Sequence, residues 1–367
     1  MTFKFFLMPY YVSDNYSPEA IALAEGLIST GHTIISNINY WFIPEENKYL
    51  FIEDNESNYD IAIYDYKYLY HSKMALGRVN KKKINILLDR NDWITPEWKN
   101  EKIISRFNLI LADHLLTNFN YPQNVYPWAI GYTNRIKNYI DKSRHNYQPA
   151  NYEIVYNFRV GHNLRKILIE NLEKADLPYP IKLRVTDNLL QNNLDADSVD
   201  KKYWEQTAKR HNPEYYKLLN QSLMTLAFGG YCEIKPFFYQ PYNFFEKIIR
   251  KPAYLTHRLL SEFQIDASFT NFIFQYDSFR MWEAFYSNTC PILLDMEYWK
   301  FKLPVMPVEG EHYLGIKKMN CKSFEQKLKT ITTDDIMKIG QNGFEWVQKY
   351  YSPVAVAQRL EQLLKTV

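Results

Sequence analysis

Short apolar runs of strand length alternate with amphipathic stretches along nearly the whole chain. Residues 3–8, 32–35, 60–64, 84–88 and 107–112 each read as a buried strand. Between the first two, Ser17 stands as a helix cap, Pro18 opens the first turn and Glu19 lies near the positive end of the dipole. Ile21, Ala24 and Ile28 are spaced to line the buried side of that helix, and Gly31 closes it. His32 stands where a packing residue is expected. A second series opens with a strand at 153–157 and a helix through about residue 175, capped by Asn163, with Leu164, Ile167, Leu168 and Leu172 on its apolar side. A strand at 181–185, a helix at 213–222 and a strand at 223–228 continue it. Residues 277–295 then predict a short helix capped by Ser278, a tight turn and the buried strand Cys290-Pro-Ile-Leu-Leu294.

Strand–helix–strand alternation in two series predicts an α/β protein of two Rossmann-like domains with parallel sheets. The polar stretch 141–150 is the expected linker. The expected domains are residues 1–145 and 146–350, with an insertion at about 229–276. Helices are predicted at 324–330 and 334–350. Ser352 and Pro353 open a last helix, 351–367, carrying Val356, Leu360, Leu363 and Leu364.

Composition narrows the function classes. With 44 basic and 41 acidic residues the net charge of +3 lacks the basic excess of a dedicated nucleic-acid binder. Lys81-Lys82-Lys83 reads as a solvated turn that could touch anionic lipid. Three widely spaced cysteines give no metal spacing and fit a reduced cytoplasmic setting. No apolar run approaches the ~20 residues of a membrane span.

Two places carry candidate chemistry. On the 277–286 helix, Met281, Trp282 and Phe285 fall on one side and Asp277, Arg280 and Glu283 on another. A fixed carboxylate suits ribose hydroxyls and a guanidinium suits a diphosphate, although the same spacing also describes an ordinary intrahelical ion pair. The second place is the start of the 163–175 helix, where Gly161 is flanked by Arg159, His162, Arg165 and Lys166. A helix N-terminus with basic neighbours can cradle a diphosphate, but the glycines match neither the dinucleotide fingerprint nor a P-loop. Asp195-Ala-Asp197 follows a polar run and is poorly placed as a metal motif.

Ser278-Phe279-Arg280, Glu283-Ala284 and Cys290-Pro-Ile-Leu293 resemble the donor-site signature of exostosin-like and related group 1 glycosyltransferases of the GT-B fold. The run Tyr216-Lys-Leu-Leu-Asn-Gln-Ser222 before an apolar strand is similar to the same families, as is the Gly31-His32 turn. The resemblance implies two Rossmann-like domains facing across a cleft, with the last helix packing back on the first. It implies a nucleotide-sugar donor of UDP or GDP type, with Ser278, Phe279, Arg280 and Glu283 at the donor site. It also implies a glycan or glycoconjugate acceptor and a place in polysaccharide biosynthesis. No metal and no other cofactor is expected, nor nucleic acid as a partner. The chain is expected in the cytoplasm, or peripherally at the inner face of the membrane. The loop after the first strand often supplies the base in such enzymes; Asp14 is the acid there, with Asp92 and His71 as alternatives. Gln275 replaces the first glutamate of the retaining pattern, which leans the expectation towards inversion. The long 229–276 insertion departs from the families. A non-hydrolysing sugar-nucleotide epimerase and a non-catalytic sugar or nucleotide binder are the competing readings.

Overall fold

Strand and helix alternate from the first residues onward, as the apolar runs require. The computed structural model describes residues 1–9, 16–55, 58–71, 79–90, 101–144, 149–158, 163–184, 197–229, 231–234 and 271–367. The first series comprises β1 (Thr2–Phe6), α1 (Pro18–Ser29), β2 (Thr33–Ser36), β3 (Tyr40–Ile43), β4 (Lys48–Phe51), β5 (Ile61–Asp65), α2 (Tyr66–His71), β6 (Ile84–Asp89), α3 (Glu101–Ile104), β7 (Leu109–Ala112), β8 (Leu115–Leu116) and β9 (Val125–Pro127). Helix α4 (Asn134–Ser143) leads out of it. Strands β2-β1-β5-β6-β7-β9 form one six-stranded parallel sheet.

The second series holds β10 (Asn151–Tyr156), α5 (Asn163–Lys174), β11 (Ile181–Leu183), α6 (Val199–Gln206), α7 (Pro213–Gln221), β12 (Ser222–Leu226), β13 (Tyr231–Ile234) and β14 (Asn271–Phe274). It continues with α8 (Phe279–Tyr286), β15 (Cys290–Leu294), β16 (Phe301–Lys302), β17 (Leu314–Ile316), α9 (Lys322–Thr330), α10 (Thr333–Tyr351) and α11 (Pro353–Leu364). Strands β11-β10-β12-β15-β17 form a five-stranded parallel sheet. Strands β13 and β14 pair antiparallel near the two ends of the 229–276 insertion.

Period-two alternation explains why the first sheet is buried on both faces. Ile61, Ile63, Ile86, Leu88, Leu109 and Leu111 enter one core with α1 and α11. Ala62, Tyr64, Leu87, Ile110 and Ala112 face the other, against Leu69 and Ile103. The second core gathers β10, β12, β15 and β17 with α7, α8 and α10, and takes Ile136 and Ile140 of α4 as well. The expected linker at 141–150 therefore begins inside a helix, and that helix is already packed on the second core.

Helix α11 returns to the first sheet, with Val356, Ala357 and Leu360 beside Ala20 and Leu23 of α1. Gly26 makes the approach possible: a Cβ there would stand 1.9 Å from the Pro353 carbonyl oxygen. His32 ties the same helix down, its Nε2 lying 3.0 Å from Glu361 and its ring edge-on to Phe3. Short strands β8 and β16, one from each series, also pair antiparallel. Tyr276 fastens them, its hydroxyl donating to the Leu115 carbonyl at 2.7 Å and accepting the Lys302 N–H at 3.2 Å.

Several local expectations are overturned. Ser17 occupies the cap position of α1, but its hydroxyl turns away and donates to Asp65 at 2.5 Å. Ser278 likewise makes no cap bond; its hydroxyl points to the Ala227 carbonyl at 3.5 Å. Ile28 and Ile167 face solvent, because Leu27 and Leu168 take the inward positions of their helices. Ser352 does cap α11, accepting the Ala355 N–H at 3.3 Å. Residues 81–83 form an exposed turn, with Lys83 bonded to Asn58.

Candidate active site

In parallel α/β sheets, ligands gather at the carboxyl ends of the strands. At that end of the second sheet, α8 begins beside Ala227, the residue following β12. Arg280 and Glu283 lie one turn apart on α8 and form the ion pair their spacing allows, at 3.1 Å. Glu283 is buried, its side chain 4% exposed, whereas that of Arg280 is 21% exposed. The Arg280 guanidinium lies 4.0 Å from the centre of the Tyr215 ring, a cation–π contact that fixes its plane. The Tyr216 hydroxyl donates to the second oxygen of Glu283 at 3.4 Å. Burial pushes the Glu283 carboxyl up from its ordinary value, while Arg280 and then Arg135 hold it down.

Helix α5 follows β10 and brings Arg165 to the same place. Burial, then the nearby charge of Arg280, lowers the Arg165 guanidinium to about 10. Two half-buried guanidiniums close enough to repel each other suit an anion with several oxygens. Phe279, the first residue of α8, joins the two series. It stacks on Tyr16 with centroids 5.5 Å apart, and Arg90 and Arg210 lie 5.3 and 5.6 Å from its ring.

The carboxyl end of the first sheet is acidic. Asp65 and Asp89 close β5 and β6, Asp113 follows β7, and all three are buried. Glu19 joins them from the first turn of α1, paired with Arg90 at 3.1 Å. Asp277, just before α8, completes the group from the other series, accepting the Ile130 N–H at 2.9 Å and the Trp282 indole N–H at 2.5 Å. Burial drives the Asp113 carboxyl well up, and the charges of Asp277 and Glu19 add to the rise. Burial also raises Asp277, and it lifts Glu19 to about 7 against the pull of Arg90. One oxygen of Asp113 is buried without a hydrogen-bond partner. His114, in the left-handed region at φ 59°, accepts the Asp277 N–H at 3.3 Å.

The structure thus brings together Ser278, Phe279, Arg280, Glu283 and Arg165. It does not bring Lys166 to them: that side chain is 68% exposed and reaches towards Glu170 at 4.0 Å, one residue round the helix from Arg165. Asp14, Asp92, Arg159, Gly161 and His162 lie outside the described residues, as does Asp195. For His71 only the backbone, at the end of α2, is described. Asp197 sits exposed in the turn before α6. Among the described residues no group of three or more His, Cys, Asp or Glu side chains could hold a metal ion. The acids of the first sheet were missed from sequence, although the signal was present: Asp65, Asp89 and Asp113 each follow an apolar strand directly.

No family model matches the chain, and no curated protein matches it. Solved structures do. Over 100% of both chains it superposes on Anabaena HepE in complex with UDP-glucose, with 12% identity and a TM-score of 0.53. An alpha-glucosyltransferase in complex with UDP and a 13-mer DNA containing a central A:G mismatch aligns over 100% of both chains, with 9% identity and a TM-score of 0.55. The fold is that of the GT-B glycosyltransferases. The likeness bears on the fold and does not test the resemblance to the exostosin-like family.

Proposed function

We propose that the chain is a glycosyltransferase that takes a sugar from a nucleotide sugar and passes it to a hydroxyl of a glycan or glycoconjugate. One observation carries the reading: the pair of half-buried Arg280 and buried Glu283, with Arg165 beside it, at the carboxyl edge of the second sheet in a GT-B fold. Glu283 would accept hydrogen bonds from ribose hydroxyls. Arg280 and Arg165 would face the diphosphate. As the bond from the sugar's anomeric carbon to the diphosphate breaks, charge accumulates on the leaving oxygens, and two fixed guanidiniums stabilise it without a metal. The acceptor oxygen bonds to the same carbon and yields its proton to a base. Asp14 is the proposed base, with Asp92 and His71 next; Asp113 is the described acid that competes with them. An inverting outcome follows from Gln275 and belongs to the same proposal.

The similar structures hold UDP or UDP-glucose, which favours a uridine donor over a guanosine one. One of them also holds DNA, but the near balance of charge in this chain favours a glycan acceptor. Among the described residues no helix is long and apolar enough to cross a membrane. A cytoplasmic enzyme, at most peripheral at the inner face, accords with that.

Thermal shift against UDP, GDP and their sugar conjugates tests the donor, since a ligand of the native state raises its melting point. UDP and a UDP-sugar should raise it; no response to any nucleotide would overturn the reading. Transfer to a glycan panel should then survive EDTA, and the anomeric signal of the product reports inversion. Asp14→Asn should lower turnover by roughly 10²–10⁴-fold with UDP affinity kept. If Asp113→Asn does this instead, the base is Asp113.

A further inference from the structure

A buried cation stands behind the proposed donor site. Arg135, in the first turn of α4, is 4% exposed. Its guanidinium donates to His211 Nδ1 and to the Tyr216 hydroxyl, both at 2.8 Å, and to the Tyr16 hydroxyl at 3.2 Å. An arginine only donates, so these contacts assign the protons around it. Tyr216 accepts from Arg135, which leaves its own proton for Glu283 at 3.4 Å. His211 accepts at Nδ1, so its proton sits on Nε2 and is given to Asp200 at 3.0 Å. Burial keeps His211 neutral, lowering it to about 4. The positive charge of Arg135 is thereby balanced through two short relays, one ending at Asp200 and the other at Glu283.

The geometry points to Arg135 and Tyr216 as positioning residues of the donor site: Arg135 orients the Tyr216 hydroxyl so that its proton is held on Glu283, keeping that buried carboxylate ionised and aimed for a ribose. This rests on the assignment of Glu283 to the donor. Neither residue touches the nucleotide; both act through Glu283. The groups facing that carboxylate are Arg280 on its own helix, Tyr215 and Tyr216 from α7, Arg135 from α4 and Tyr16 from the first series. Only the two arginines are charged at neutral pH, and both favour the ionised form. Loss of the Tyr216 hydroxyl removes a hydrogen bond to that form, so the carboxyl takes up a proton at higher pH than before. Binding that needs the carboxylate then fades as pH falls.

The test is calorimetric titration of UDP into the full chain across about pH 6 to 8, for the parent and Tyr216→Phe, which keeps the ring and its packing. The ratio of the two Kd values cancels every titration the two proteins share. It should grow several-fold as the pH falls across this range and approach one at its upper end. A purely structural defect would give a ratio independent of pH, and that result, or a ratio of one throughout, overturns the proposal. Arg135→Lys, which keeps the charge but not the fork, should show the same slope and replaces Tyr216→Phe if the latter does not fold. Glu283→Gln separates the two layers. If it binds UDP as the parent does, the donor assignment itself falls; if it binds weakly while the Tyr216→Phe ratio stays flat, only the positioning role falls.

Discussion

Acids outnumber bases at the carboxyl edge of the first sheet, and bases outnumber acids at that of the second. Behind the first stand Asp65, Asp89, Asp113 and Glu19, met by Asp277 from the other side. Behind the second stand Arg165 and Arg280, with Arg210 across the Phe279 ring. Both edges crowd like charges, buried at the first and half-buried at the second, yet they can relieve the crowding in different ways. Carboxylates take up protons, and burial raises Asp113, Asp277 and Glu19, the last to about 7, so that each does so more readily than usual. Guanidiniums stay charged at any such pH, even Arg165 at about 10, so only anionic partners relieve their repulsion, and Glu283 beside Arg280 is one of them. The acidic edge can settle itself. The basic edge keeps its charge, and the proposed diphosphate would add to the anions that offset it.

The largest expected effect breaks that contrast on its basic side. Arg280→Ala and Glu283→Ala should each weaken UDP affinity by roughly 10–100-fold, the range for losing a charge-assisted hydrogen bond, read by calorimetry. Arg165→Ala should cost less, roughly 3–10-fold, since its partner Arg280 remains to hold the anion. Parent-like affinity in Arg280→Ala would mean that the pair is structural and that the anion, if any, binds elsewhere.

On the acidic side the comparison sharpens through pH. The carboxyls of Asp113, Asp277, Glu19, Glu25 and Glu283 are all raised by burial, Glu19 to about 7 and Glu25 to about 8, from ordinary values of 3.8 for Asp and 4.5 for Glu. Between the ordinary and the raised values the folded chain holds more protons than the unfolded one, so stability falls as pH rises through that window. The melting temperature should therefore decline from about pH 5 to about pH 8. Asp113→Asn removes one of these titrations with little change of shape. It should flatten the decline and melt above the parent at the upper end; a parent-like slope would show that Asp113 ionises freely after all.

The succession of strands and helices was legible in the sequence and the polar detail was not, and the serines show why. Ser17 and Ser352 both stand directly before a proline at a helix start. Ser352 caps its own helix even with Tyr132 in reach, whereas Ser17 bonds to Asp65 instead. The local signal is the same; the deciding partner lies 48 residues away. Apolar spacing is equally blind to what covers a helix. It could not tell that α11 would lie against α1 at Gly26, leaving Ile28 outside. Arg280 and Glu283 were readable because one helical turn is a local fact. The acids of the first sheet became a group only because β5, β6 and β7 are neighbours, which no single strand announces.

The smallest expected effect is the one that tests the side-chain placement most cleanly. Arg165 and Lys166 are consecutive, both basic and both near a helix start, and sequence alone nominates them equally. Successive residues on a helix point about 100° apart, so only one of them can face Arg280. The structure turns Arg165 inward over the Phe158 ring at 4.7 Å and leaves Lys166 in solvent beside Glu170. A surface pair of that kind contributes little, and its loss removes nothing from the anion's surroundings. Lys166→Ala should therefore change UDP affinity by less than about twofold at moderate salt, where long-range attraction is screened. Arg165→Ala, measured alongside, should show its several-fold loss. If Lys166→Ala loses as much as Arg165→Ala, the start of α5 is turned differently from the arrangement described, and the two-guanidinium edge has to be rebuilt around the lysine.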